Sequence, residues 1–563
     1  MKKYLVVVIL AIVSTKCWGQ TITIDQGILE GAQRTNRAGE TYYSFQGIPY
    51  ASPPVGDLRF MPPQEATTWN GTRDATSDLP SCYQQNEDGE VVGQEDCLYL
   101  NVYTPEIPND NSTDEDLKDV MVFIHGGGFN QNSGGEALYS PEFIINQDIV
   151  LVTINYRLGI FGAFNIDNSS EYTGNLQMKD QVAALQWVQS NIRNFGGNPN
   201  SVTIFGESAG GASVHYHILS PMSAGLFHKA ILESGNAFAP WTAGIANSGI
   251  SLAEALEIPT DDFDTMITEL KNLTSQEILA ATLIISATQS GIGYPIVEQV
   301  YENQTAFLTE EPSAIIESAD YNQVPMIIGY NDAEGISYYP WFQNISSLLP
   351  SDLNLEVGSD EESALIQKIE AFYFTETNTT SNNTAIINLY TDTYFSYPTY
   401  RAATEHFKQA NNSIYFYRFS ADTNLNVYKL RNEDNAIYAG ATHADELGYL
   451  FNTTMHYNIT GTIEDDSIED RAITRLVTLW TNFAKTGNPT PDESQGFQWL
   501  PISEDAFNYI DFGSNETTVG VDPDSERLQF WSDIYNGGII NQPSLMIMLS
   551  TFLLLIKMNF FAI

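Results

Sequence analysis

The chain has 563 residues, 43% of them hydrophobic, and a formal net charge of −46 from 24 Lys+Arg against 70 Asp+Glu. That length is enough to bury a large core. The acidity excludes nucleic acid and anionic membrane surfaces as partners, because both need cationic side chains.

The acidic residues are spread along the chain rather than gathered in a tail. This fits a soluble extracellular protein dispersed by its charge; a field that steers cationic substrates is the second reading.

At the N-terminus, Met1-Lys2-Lys3 leads into the apolar run Leu5 to Val13 and then Ser14 to Gly19. A basic start, a short apolar run and small residues at a cut site predict a signal peptide over residues 1–19. Its removal takes Cys17 away and leaves Cys82 and Cys97, an even pair in an oxidising compartment, so one disulfide is expected. Asn-x-Ser/Thr sequons recur from Asn70 and Asn111 to Asn458 and Asn515, which agrees with a glycosylated secretory protein.

Val120 to Ile124 is a short apolar strand candidate that ends in His125-Gly126-Gly127-Gly128-Phe129, and Ile149 to Ile154 is another. Gln177 to Phe195 has the spacing of a helix, with Val182, Leu185, Val188 and Ile192 near one face and Gly196-Gly197 ending it. The strand Ser201 to Phe205 then runs into Gly206-Glu207-Ser208-Ala209-Gly210, and Ala209 to Leu219 has a helical pattern.

Alone, a Gly-x-Ser-x-Gly pentapeptide is a weak signal. Between a strand and a helix it becomes a nucleophile elbow that lifts the hydroxyl of Ser208 above a sheet. Glycines let backbone N–H groups come close to a substrate, so the Gly127, Gly128 and Ala209 amides are expected to hold a developing oxyanion.

Further strands are predicted at Lys229 to Leu232, Val324 to Ile328 and Ser413 to Tyr417, and a late helix over Asp470 to Lys485, stopped by Gly487 and Pro489. Strands alternating with helices predict an α/β fold, a large mostly parallel or mixed sheet covered on both faces. Residues 20–536 are expected to form one domain. The stretches 247–322 and 351–384 are expected to be helical excursions or surface loops.

A serine nucleophile needs a histidine base, and the base needs a carboxylate. In this architecture the acid and then the histidine follow the serine. The acid should follow the strand at Val324, where Asp332 and Glu334 both qualify. The late histidines are His406, His443 and His456. His443 lies in a small-residue segment, whereas His406 and His456 are expected to face solvent.

Residues 537–563 open on Gly537-Gly538, pass a short polar spacer and reach the apolar run Leu545 to Ile556. This pattern is similar to the signal for a glycosylphosphatidylinositol anchor. A short membrane-inserted tail or an amphipathic soluble tail are the other readings.

From Gln26 to Trp531 the chain resembles the type-B carboxylesterase and cholinesterase family, most of all insect carboxylesterases. The resemblance rests on Phe45 to Ala51, Gln94 to Val102, Asn155-Tyr156-Arg157, Asp180 to Val188, Phe195 to Pro199 and Gly206 to Gly211. It implies an α/β-hydrolase fold with a gorge above the sheet, a serine carboxylesterase that needs no metal or organic cofactor, and small-molecule esters as substrates.

Position by position, the resemblance implies Glu334 as the acid and His443 as the base, with Glu207, Ser234 and Glu446 supporting them. It further implies Arg59–Glu95 and Arg157–Asp180 ion pairs, a Cys82–Cys97 disulfide and Trp241 on the acyl side of the gorge. The loop Tyr83 to Asp96 has no tryptophan to face a quaternary ammonium. Uncharged, largely apolar esters are therefore expected ahead of choline esters. A cholinesterase, or a catalytically silent adhesion or binding relative, are the rival readings.

Overall fold

A computed structural model describes residues 19–538 except 79, 110, 290, 303–304, 376–378, 410–411 and 454–462. The expected signal peptide up to residue 18, the tail from residue 539, His456 and the sequons at Asn303, Asn378, Asn411 and Asn458 lie outside the described residues.

The strands are β1 (Gln20–Ile24), β2 (Gly27–Thr35), β3 (Thr41–Pro49), β4 (Thr72–Asp74), β5 (Gln84–Gln85), β6 (Val91–Val92), β7 (Tyr99–Thr104), β8 (Lys118–Ile124), β9 (Val150–Ile154), β10 (Gly197–Glu207), β11 (Lys229–Glu233), β12 (Met326–Asn331), β13 (Ile414–Phe419), β14 (Asn508–Phe512) and β15 (Thr517–Val521). All but β5 and β6 join one 13-stranded sheet in the order β1-β2-β3-β7-β9-β8-β10-β11-β12-β13-β14-β15, with β4 beside β2. From β9 to β14 the pairings are parallel; the outer strands pair antiparallel except β4, which runs parallel to β2.

Central strands are buried on both faces, which is why β8, β9 and β12 read as mostly apolar runs rather than alternating ones. Successive side chains divide between the two faces. Val120, Val122, Ile204, Leu232 and Ile328 enter one core; Met121, Phe123, Phe205, Ile231 and Ile327 enter the other.

The helices are α1 (Gly159–Ala163), α2 (Leu176–Asn191), α3 (Ala209–Leu219), α4 (Ser248–Ala255), α5 (Phe263–Asn272), α6 (Ser275–Ser286), α7 (Pro312–Ser318), α8 (Asp360–Tyr373), α9 (Thr379–Thr391), α10 (Tyr397–Gln409), α11 (Val427–Leu430), α12 (Leu447–Leu450), α13 (Ile468–Thr486) and α14 (Ser525–Asp533). Residues of α2, α3, α7 and α10 pack in the first core, and α13 lays Leu476, Val477, Trp480 and Phe483 into the second.

Helix α13 matches its predicted span because its ends are specified locally. Ser467 accepts the Asp470 N–H at 3.1 Å, and Gly487 closes the other end at φ 73°. Helix α2 stops earlier than predicted, at Asn191, and residues Ile192–Phe195 tighten into a 3-10 turn.

The two stretches expected to be excursions are helical where they are ordered into elements. Helices α4, α5 and α6 share a core with Phe60, Phe161 and Phe164, while α8 and α9 pack with α14. Buried ion pairs tie these layers together. Arg157 grips Asp180 through two bonds of 2.8 and 2.7 Å. Arg59 holds Glu95 at 2.7 Å and also donates to the Lys271 and Leu273 carbonyls, which fixes α5 onto the disulfide loop. Cys82 and Cys97 are joined, with Cα atoms 4.9 Å apart.

Candidate active site

Ser208 sits between β10 and α3 with φ 58° and ψ −121°, a strained conformation for a residue with a side chain. The turn closes because its neighbours lack side chains. A Cβ at Gly210 would come within 1.9 Å of the Ile124 carbonyl oxygen, and one at Gly206 within 2.5 Å of the same atom. Strand β8 therefore ends hard against the turn, and its glycine run arrives beside the serine. Gly127 (φ 106°) and Gly128 (φ 59°) turn the chain there. The first N–H groups of a helix have no partner within it, and Ala209 is the first residue of α3.

His443 lies in the segment between β13 and α12. Its Nδ1 is 2.7 Å from Glu334 Oε2, and Glu334 Oε1 accepts the Asn331 N–H at 2.8 Å. Glu334 is fully buried. It follows β12, so the end of one parallel strand delivers the acid and the loop after the next delivers the histidine. Asp332, the other eligible acid, turns away and accepts the Ala441 N–H at 2.8 Å. Burial pushes the Asp332 carboxyl up to about 7.

With Nδ1 donating to Glu334, Nε2 is the free nitrogen of a neutral His443. It stands 3.1 Å from Glu207 Oε1. That oxygen has no hydrogen-bond partner among the described residues. The approach is a close electrostatic contact. Burial first, then the charges of Glu334 and Glu233, raises the Glu207 carboxyl well above its ordinary range. Glu446 is raised in the same way by burial and by Glu207, and it accepts from Ser234 Oγ at 3.5 Å and from the Asn331 side-chain amide. The structure thus links Ser234 to Glu446, while Glu207 reaches His443 directly.

Ser208, Gly127, Gly128, Glu207 and His443 line one cavity of about 850 Å³. Its walls are aromatic, with Trp241, Tyr294, Tyr338, Trp341, Tyr394 and Phe395. A π-helical turn, Asp392–Ser396, interrupts the passage from α9 to α10 and presents Tyr394 and Phe395 to the site. The Phe395 ring lies 4.6 Å from the His443 ring and 5.9 Å from Trp241, whose Nε1 donates to the Tyr394 carbonyl at 3.1 Å. Trp241 therefore lines the cavity as expected, held by backbone from the far wall.

One expectation is corrected. His406 does not face solvent: it is fully buried in α10, with Nε2 2.7 Å from His215 Nε2 on α3 and Nδ1 3.0 Å from the Tyr321 hydroxyl. The inner face of α10 packs against the sheet, and the polar ring is satisfied by a second buried histidine. Sequence reasoning also missed Glu233, Asn331, Tyr338 and Phe395. Glu233 carried a signal, an ionisable residue ending an apolar strand. The π-helical turn carried none.

The carboxylesterase family profile matches residues 19–531. Esterase E4 of Myzus persicae is 33% identical, over 88% of this chain and 92% of that protein. Juvenile hormone esterase of Tribolium castaneum is 31% identical, over 90% of this chain and 92% of that protein. Among solved structures, juvenile hormone esterase from Manduca sexta with OTFP covalently attached superposes with a TM-score of 0.81 at 28% identity, covering 92% of this chain and all of that one.

Proposed function

We propose, from the premise that this chain belongs to the carboxylesterase family and is a carboxylic ester hydrolase of the α/β-hydrolase fold, that Ser208, His443 and Glu334 are its catalytic triad. The observation that carries the assignment is one cavity bringing together a serine on a strained strand–helix turn and a histidine whose Nδ1 is bound by a buried carboxylate.

In this reading Ser208 Oγ attacks the ester carbonyl and His443 Nε2 takes its proton. The Gly127, Gly128 and Ala209 amides hold the oxyanion. The alcohol leaves with the proton from His443, and water attacks the acyl-enzyme by the same relay. Buried Glu334 orients the ring and stabilises the imidazolium. Ser208→Ala is expected to abolish turnover of a nitrophenyl or naphthyl ester, and a fluorophosphonate should add its mass to the Ser208 peptide. Full activity in the alanine variant, or an adduct on another residue, refutes the assignment.

The substrates are small-molecule esters; the finer reading is esters of uncharged, largely apolar alcohols or acids. The aromatic walls support it. Comparable rates on acetylthiocholine and an uncharged thioester would count against it. Secretion after cleavage at Gly19, one catalytic domain over 20–536, N-glycosylation and a lipid anchor replacing the tail from 537 belong to the same proposal. Among the described residues no helix is long and apolar enough to cross a membrane. Release from cells by phosphatidylinositol-specific phospholipase C tests the anchor.

A further inference from the structure

One row of side chains runs across the sheet beneath the site. Glu207 on β10 pairs with Glu233 on β11, Glu233 with Gly329 on β12, and Gly329 with Tyr417 on β13. In a parallel sheet, paired residues project to the same face. Here it is the face covered by α13, where Phe205, Ile231 and Tyr415 also pack. Gly329 leaves the room: a Cβ there would meet the Tyr417 ring at 2.2 Å.

The row is buried yet incompletely satisfied. Trp480 Nε1 on α13 donates to Glu233 Oε1. Glu233 Oε2, Glu207 Oε1, Asn331 Oδ1 and the Tyr417 hydroxyl have no hydrogen-bond partner among the described residues. Buried polar atoms are ordinarily paired, and exceptions cluster where a site uses them.

The titratable groups around Glu233 are Glu207 from β10, Tyr417 from β13, Glu334 after β12, and His443 and Glu446 before α12; α13 presents Trp480 only. Among the described residues no Lys or Arg acts on Glu207, Glu233, Tyr417 or Glu446.

We propose that Glu233 is a positioning residue of the esterase, which acts through its row partner Glu207 to set the proton affinity of His443. This rests on the triad reading above. The sheet order gives the sign. The oxyanion glycines follow β8, on one side of the nucleophile strand β10; Glu233 is on β11, on the side from which Glu334 and His443 arrive. A charge on Glu233 therefore favours the imidazolium that forms on His443 as Ser208 gives up its proton, more than it opposes the oxyanion.

When pH rises, the Glu233 carboxyl releases its proton to solvent and the row gains one negative charge; no other bond changes. Burial pushes this carboxyl up to about 8, partly offset by the Trp480 N–H.

The test is kcat/KM for an uncharged ester from pH 6 to 10. Wild type is expected to show, beyond the His443 ionisation, an upward step of about two- to ten-fold near pH 8. E233Q keeps an acceptor for Trp480, matches wild type within about two-fold at pH 6.5, and loses the step. Trp480→Phe retains the carboxyl without its donor, so the step moves to higher pH; this variant carries the test if E233Q does not fold.

Superimposable wild-type and E233Q profiles, or loss of activity in E233Q at every pH with a native fold, would overturn the role. So would a Trp480→Phe profile that does not move. Ser208→Ala separates the two readings. Activity remaining in that variant removes the triad assignment whatever Glu233 does, whereas an inactive Ser208→Ala with no step near pH 8 in wild type removes Glu233 alone.

Discussion

Two buried polar clusters lie on opposite faces of the central sheet, and they are built by opposite rules. Between α3 and α10, His215 and His406 form a closed chain. The Ala237 N–H donates to His215 Nδ1 at 3.0 Å, so His215 Nε2–H donates to His406 Nε2 and His406 Nδ1–H to Tyr321. These contacts assign both tautomers and leave both rings neutral and fully paired. Beneath His443, the carboxyls of Glu207, Glu233, Glu334 and Glu446 crowd together, and Glu207 Oε1 and Glu233 Oε2 have no hydrogen-bond partner among the described residues. A fold built only for stability would contain the first arrangement and avoid the second. Residual frustration under the histidine is thus a mark of function, and satisfied polarity under α10 a mark of packing.

Removing one member of each cluster should break this contrast most sharply. Glu334→Gln preserves shape but cannot hold His443 in the same tautomer, and kcat/KM should fall by about 10⁴-fold. Its melting temperature should change little, because a neutral amide relieves like-charge repulsion. His406→Phe should do the reverse. It strands the His215 Nε2–H and the Tyr321 hydroxyl and should destabilise by roughly 2–4 kcal/mol. Turnover per folded molecule should remain within about two-fold of wild type. Denaturant unfolding and active-site titration together read both effects; a His406 variant that is stable but slow would refute the division.

The first cluster was not legible in the sequence, whereas the residues proposed as the catalytic constellation could be named from it. The strand before Ser208 and the glycine run are short-range patterns whose geometry is local, and the order serine–acid–histidine comes with the fold class. A choice between Asp332 and Glu334, two residues apart, is not local: it depends on which side chain turns toward a loop more than a hundred residues later. There, spacing left the choice open and resemblance pointed to Glu334, whose Oε2 lies 2.7 Å from His443 Nδ1. His406 was misread because a histidine on a polar-looking helix is exposed more often than it is paired with a second buried ring. Its partner, His215, lies 191 positions away. The fold class was legible because central parallel strands are continuously apolar. The π-helical turn that brings Phe395 onto His443 was not, since one extra residue in a helix leaves no periodic trace.

The smallest effect discriminates the clusters by the sign of a pH slope. Burial holds His406 down to about 3, His217 to about 3 and His125 to about 4, and it lowers His215 as well. Unfolding below the free imidazole value of about 6.5 therefore takes up protons that the native state refuses, and stability falls as pH drops from 6.5 toward 4. The carboxylates act the other way. Glu233 at about 8 and Asp332 at about 7 keep their protons in the native state and lose them on unfolding. Their contribution is complete below the ordinary carboxyl value of about 4 and is lost as pH rises through 7 and 8. The buried histidines thus shape an acid limb of stability and the buried carboxyls an alkaline limb. His406→Phe should flatten the acid limb by up to about 1.4 kcal/mol per pH unit, the contribution of one proton, and E233Q should flatten the alkaline limb by a similar slope. Urea midpoints at pH 5, 6, 7 and 8.5 read both limbs. A wild-type midpoint constant over that range would mean that neither cluster titrates on unfolding, and that their difference lies in geometry alone.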